Sequence, residues 1–231
     1  MPVLLLPYFV LHRRWKVLAG VALGSFLAFL MPALIAGFRE NWVLHQKMIP
    51  YLFWSALDKG SMITDKNQSL FSMLFRFFSS ESWYRIQITE LGLPAMQWVH
   101  RAAAALLYGL CLFGKRRPVL DYALLSVTMA LLNPNAWAHA YLFLLPGTMV
   151  LLHHLLTQTR PNLWVLLALV GSFVWGSLSG EAFTRWWASD FFELSSNLTF
   201  SGLLVFCGLL YLRWASPRRL TGAVARREAL C

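Results

Sequence analysis

Asn133-Pro134-Asn135-Ala136-Trp137-Ala138-His139 is a polar island wedged between two apolar runs, and its placement decides the fold. Val119 to Leu132 leads into it, and Ala140 to Leu152 continues apolar beyond it through Tyr141, Phe143 and Pro146. The leading run holds about 14 residues, or roughly 21 Å of helix, against a hydrocarbon layer of ~30 Å. The island is therefore expected at the membrane edge or slightly inside it. Irregular backbone survives at that depth only where protein or a water-filled cavity surrounds it. Asn, Trp and His gathered in such a cavity are equipped to bind a ligand.

Composition places the rest of the chain in a membrane. It is 58% hydrophobic and 13% charged, which no ordinary soluble domain matches. Nearly uncharged runs recur at Val17–Gly37, Pro94–Gly114, Val119–Leu132, Ala138–Leu156, Leu163–Ser179 and Leu198–Leu212. The fold expected is all-α: a polytopic transmembrane bundle of about six to seven spans, forming one domain over residues 1–231. Alternating the spans puts Arg13, Arg14, Lys16, Lys115, Arg116, Arg117, Arg160, Arg213, Arg218, Arg219, Arg226 and Arg227 on one side, opposed only by Asp121 and Glu228. The other side balances 8 basic against 8 acidic residues, so the whole net charge of +10 falls on one face. That face is cytoplasmic by the positive-inside rule, with residues 213–231 as a cytoplasmic tail. The high charge thus reports topology and does not point to nucleic acid.

Met1 to Leu11 is apolar but spans only about 16 Å before His12-Arg13-Arg14-Trp15-Lys16. A signal peptide has its charges ahead of the apolar run, not behind it. The chain reads as starting in mid-helix: either something else completes the first helix or, the favoured reading, this is the C-terminal part of a longer protein. Cys111, Cys207 and Cys231 form no CxxC pair, so neither a disulfide framework nor a metal site is indicated.

Residues 38–93 are expected to be an exoplasmic loop carrying short interfacial helices. Asn41 to Met48 is amphipathic, Pro50 is expected to break it, and Tyr51-Leu52-Phe53-Trp54 suits a membrane interface. Lys66 to Phe78 reads as a further helix with Asn67 as its N-cap. Ser69, Ser72 and Arg76 make one narrow polar stripe in an otherwise greasy surface, so the helix must be embedded. Its N-terminus, with Lys66 and Arg76 near, suits an anion such as phosphate. The alternative reading is an interfacial helix whose arginine reaches lipid headgroups.

Lys66-Asn67-Gln68-Ser69-Leu70 with Arg76, followed by Asn133-Pro134-x-x-Trp137-x-His139, resembles glycosyltransferase family 87, membrane enzymes of the GT-C class. Pro2-Val3-Leu4-Leu5-Leu6-Pro7-Tyr8 with Arg13-Arg14-Trp15 is similar to a segment midway along such proteins, and the likeness extends to about Leu156. The resemblance implies an inverting hexosyl- or mannosyltransferase, using a polyprenyl-phosphate sugar as donor and needing no metal or cofactor. It would work in a plasma (bacterial inner) membrane on a glycan or glycolipid acceptor of the cell envelope. Lys66, Asn67, Gln68, Ser69, Arg76 and His139 would then hold the donor phosphate, and Asn133, Asn135 and Trp137 the sugar or acceptor. The family's acidic base belongs to a first exoplasmic loop, ahead of anything matched here. The isolated chain is accordingly expected to be inactive until joined to a family-like N-terminal half.

Other readings stand beside these roles. His139 also suits capping of Asn133 or Asn135 carbonyls, Trp137 an aromatic belt, and the asparagines turn chemistry next to Pro134. Arg101, beside His100, is expected to face the bundle interior or the interface. Glu181, Asp190 and Glu193 read as a solvated loop, and Asn197-Leu198-Thr199 as a sequon without consequence. Gly20-x-x-x-Gly24 and Gly176-x-x-x-Gly180 are candidate close-packing points. A lipid-linked-sugar carrier or flippase is the main competing function, and a non-catalytic assembly subunit the next. A carrier should show paired broken helices in two halves, and the island has no such partner.

Overall fold

The computed structural model describes residues 5–55, 66–79, 88–114, 117–133, 136, 138–178, 191–193 and 195–215. They form an all-α bundle whose helices, with one 3₁₀ stretch, take up most of the apolar runs named above. The helices are α1 (Leu5–Leu11), α2 (Trp15–Ala36), α3 (Phe38–Ser55), α4 (Leu70–Phe78), α5 (Leu93–Leu112) and α6 (Pro118–Leu131). A 3₁₀ stretch, Ala138–Leu144, then leads into α7 (Leu145–Thr157), α8 (Leu163–Ser177) and α9 (Asn197–Ala215). Trp15–Ala36, Ala140–Thr157 and Asn197–Ala215 are long and apolar enough to cross a membrane, while α6 and α8 are shorter apolar helices.

The centre is α6 against α9, each buried along most of its length, with α7 and α8 packed around them. Missing side chains permit the closest approaches. A Cβ on Gly147 would lie 2.8 Å from methyls of both Val127 and Val205, so α7 seats its backbone between α6 and α9. Gly176 likewise sits against Ser201, where a Cβ would come within 3.1 Å of its hydroxyl, but Gly20 and Gly24 have nothing within 4 Å. Of the two small-residue motifs, the described close contact is therefore on α8.

The α2–α3 hairpin projects from this centre, and only 6% of α2's apolar window is buried. Its turn is fixed by Gly37 at φ +93° and by Asn41, whose Nδ2 donates to the Phe29 carbonyl at 3.0 Å beside Pro32. Pro50 does not end α3, contrary to the sequence expectation: the helix runs on to Ser55. A proline removes a single bond, the one to the carbonyl four residues back, and Gln46 there lies on an exposed turn where solvent or headgroups satisfy it.

Polar groups collect at the two ends of the α6–α9 pair. At one end, α9 runs past the expected boundary to Ala215, so Arg213 is not in a tail but 1% exposed in the last turn. Its Nη1 donates to the Leu110 and Cys111 carbonyls at 2.9 and 3.0 Å, caps that the end of α5 would otherwise lack. Its Nη2 lies 3.2 Å from Oδ1 of Asp121, an ion pair rather than an aligned hydrogen bond. Tyr8 of α1 donates to Oδ2 of the same carboxylate at 3.2 Å. Arg117 donates to the Leu212 carbonyl at 3.1 Å, and Asn162, the N-cap of α8, donates to the Tyr211 hydroxyl at 3.0 Å. All these groups lie beside the basic residues, as the charge pattern requires. The other end holds the two motifs.

Candidate functional site

The chain enters α4 through a short polar turn that sequence chemistry explains. Asn67 Oδ1 accepts the Ser69 N–H at 3.0 Å, an Asx turn, and Ser69 Oγ accepts the Ser72 N–H at 3.1 Å. Ser69, not Asn67, is therefore the N-cap, because Asn67 has turned its side chain to the residue that caps. Everything from Asn67 to Arg76 is buried, as a helix this apolar requires. The end of α4 is met by the segment before α5, whose Ile88 and Leu91 N–H groups donate to the Phe77 and Phe78 carbonyls.

Gln68 joins the two motifs. Its N–H donates to the Ala136 carbonyl at 2.8 Å, in the middle of the polar island. Its own carbonyl accepts from the Tyr141 hydroxyl at 2.5 Å and from the Thr199 hydroxyl. Its Nε2 donates to the Glu193 carbonyl at 2.8 Å. Four segments far apart in sequence thus meet on one residue: the island, the 3₁₀ stretch, the turn before α9, and α9 itself. With Gln68 only 2% exposed, each bond replaces water that cannot reach it. Gln68 organises the site, and its backbone is fully engaged in doing so.

Arg76 lies two turns along α4 and is 1% exposed. Its Nε and Nη2 both donate to Ser196 Oγ, at 3.1 and 2.5 Å. Ser196 sits at φ +60°, a left-handed conformation that non-glycine residues seldom adopt. Its N–H donates to the Glu193 carbonyl and its carbonyl accepts the Phe200 N–H, which ties Glu193 to the start of α9.

The remaining candidates are placed as follows. Lys66 is exposed at the mouth of the turn. Asn133 is half-buried where α6 ends, its N–H 3.4 Å from the Ala130 carbonyl. His139 lies in the first turn of the 3₁₀ stretch, two residues ahead of Tyr141; its side chain, like Asn135 and Trp137, lies outside the described residues, as do Asp65, Glu181 and Asp190. Arg101 faces outward, its guanidinium 4.9 Å from the Trp98 ring centroid. His100 sets its ring edge-on to Phe71, centroids 5.1 Å apart, and braces α4 from α5.

From sequence alone Tyr141 and Ser196 carry no role, Glu193 reads as solvated loop and Thr199 only as part of a sequon; the structure brings all four to the node. The signal was present in Ser195-Ser196-Asn197-Leu198-Thr199, a dense polar cluster opening an apolar helix. Its formal sequon is spent on packing: Asn197 is fully buried, with Nδ2 donating to the Trp175 carbonyl at 3.1 Å.

The node gathers a buried guanidinium, the serine that it bonds and the starts of two helices. Comparison with known families agrees with the sequence motifs that form it. No curated protein and no solved structure matches the chain. The family model described as glycosyltransferase family 87 matches residues 1–134, which takes in Lys66 to Arg76 whole and stops at Pro134 in the island. That match covers more than half of the 231 residues, and the chain belongs to glycosyltransferase family 87.

Proposed function

We propose that this chain serves a membrane glycosyltransferase that moves a sugar from a polyprenyl-phosphate donor to an exoplasmic glycan or glycolipid acceptor, with inversion. The observation that carries the reading is the Gln68–Ala136 hydrogen bond, which brings both motifs to one buried node beside Arg76. A carboxylate takes the proton of an acceptor hydroxyl as its oxygen bonds to the anomeric carbon. The bond from that carbon to the phosphate oxygen breaks, and the lipid phosphate leaves with the electron pair. Attack opposite the leaving group inverts the centre. Charge accumulates on the phosphate in this step, so fixed cationic and N–H donors aimed at it lower the barrier.

In this reading Arg76, Lys66 and His139 hold the leaving phosphate, and Asn67, Gln68 and Ser69 shape the turn around it. Asn133, Asn135 and Trp137 are assigned to the sugar or acceptor. The bilayer supplies the donor sideways, along its lipid chain. The test is capture of a photoreactive polyprenyl-phosphate sugar by the purified protein in nanodiscs. Polyprenyl phosphate should compete the labelling away, and polyprenol of the same length should not. Equal competition by the two would show that the phosphate is not recognised, and the reading would fall.

A further inference from the structure

Ala136 and Tyr141 stand on either side of His139, and both are bonded to one residue of the turn before α4. The Gln68 N–H donates to the Ala136 carbonyl at 2.8 Å, and the Tyr141 hydroxyl donates to the Gln68 carbonyl at 2.5 Å. The end of the island is thus pinned twice to a single amino acid, with the backbone of His139 between the two anchors. Of these anchors only the second is made by a side chain.

The assignment of hydrogens at this point follows from distance. A tyrosine hydroxyl has one hydrogen to give. Thr199 Oγ1 lies 3.5 Å from the Tyr141 oxygen, a full ångström farther than the Gln68 carbonyl, so the carbonyl takes the hydrogen. Thr199 donates to the same carbonyl. Its two lone pairs therefore hold two different elements, the 3₁₀ stretch through Tyr141 and α9 through Thr199. All three residues are buried, where such bonds are made out of reach of water.

The 3₁₀ stretch needs a hold of this kind. Its seven residues, Ala138–Leu144, are long for a helix type whose own hydrogen bonds are poorly aligned. Groups that share one ligand have to be kept within about 0.5 Å of their productive places, by neighbours that are themselves fixed. Tyr141 supplies that fixing to the segment that carries His139.

We propose that Tyr141 is a positioning residue of the donor site: its hydroxyl holds the end of the island, and His139 with it, against the turn 67–69. It acts through the island rather than by contact with the phosphate. The assignment rests on the donor reading above and lies beyond residues 1–134, which the family model matches.

Tyr141→Phe deletes the hydroxyl, keeps the ring in the core and leaves the Gln68 carbonyl its bond from Thr199, so the fold should hold. Tyr211→Phe is the comparison, deleting a hydroxyl that accepts from Asn162 at the opposite end of α9. Kd for a polyprenyl phosphate and for the matching polyprenol is measured in phosphatidylcholine nanodiscs, with the Tm of each variant alongside. Tyr141→Phe should raise Kd for the phosphate about 5-fold, the effect of one hydrogen bond, while polyprenol binding and Tm stay at the parent's values. In a His139→Ala background the same change should add little, because the group that it positions is gone. Parent-like phosphate binding, an equal loss for polyprenol, a marked fall in Tm, full additivity with His139→Ala, or the same phosphate loss in Tyr211→Phe overturns the assignment. A parent that does not prefer the phosphate over polyprenol brings down the donor reading as well. If Arg76→Ala weakens phosphate binding and Tyr141→Phe does not, only the role of Tyr141 falls.

Discussion

Replacing Arg213 with alanine should destabilise the bundle by about 3–5 kcal/mol, the usual result of stripping one partner from a buried ion pair. For a chain of this size that is a fall in Tm of about 6–20 °C in detergent. Arg213 and Asp121 are each 1% exposed, so alanine leaves a carboxylate in the protein interior that, among the described residues, the Tyr8 hydroxyl alone meets. The Leu110 and Cys111 carbonyls lose their donor in the same step. The partner substitution Asp121→Leu should cost a similar amount. The double variant Asp121→Leu/Arg213→Met should recover much of the loss, because apolar groups of similar volume carry no desolvation penalty. Because the pair is shielded, the losses should barely change between low and high salt. Additive losses in the double variant, or a single-variant effect that salt abolishes, would show that the pair does not stabilise the interior as described.

The second large effect concerns the donor. Arg76→Ala and His139→Ala should each weaken polyprenyl-phosphate binding about 10- to 100-fold, since charge-assisted hydrogen bonds contribute roughly 1.5–3 kcal/mol apiece. His153→Ala should do little: it lies exposed near the other end of α7. A flat response at both Arg76 and His139, with His153 no different, would reduce the two motifs to cap and packing chemistry.

The helices were legible because long apolar runs report burial or lipid directly, and α2, α5, α6, α8 and α9 begin and end within a few residues of the runs that announced them, while the run from Ala138 is 3₁₀ as far as Leu144 before α7 starts. The meeting of the two motifs was legible only through family resemblance. Gln68 and Ala136 are 68 positions apart, and no local pattern signals a bond between them. Arg76 with Ser196 spans a still greater interval. Arg213 was misread for a related reason: an arginine at the end of an apolar run looks like a snorkelling tail residue until its carboxylate, in another helix, is known. Pro50 and Asn67 show the limits of local rules. A proline ends a helix only if the lost bond cannot be made good, and an asparagine caps only if the serine two residues on does not.

Residues 66–79 and the polar island are expected to share one face of the membrane, opposite the basic face, and to build a donor site there. Single cysteines at Lys66, Asn133 and Arg160, in a background without Cys111, Cys207 and Cys231, measure this directly with a membrane-impermeant maleimide on intact cells. Lys66→Cys and Asn133→Cys should label from outside, and Arg160→Cys, in the turn between α7 and α8, only after the membrane is opened. Labelling of Lys66→Cys and Asn133→Cys from opposite sides would contradict a shared site outright, and labelling of both only from within would place that site on the wrong face for an exoplasmic acceptor.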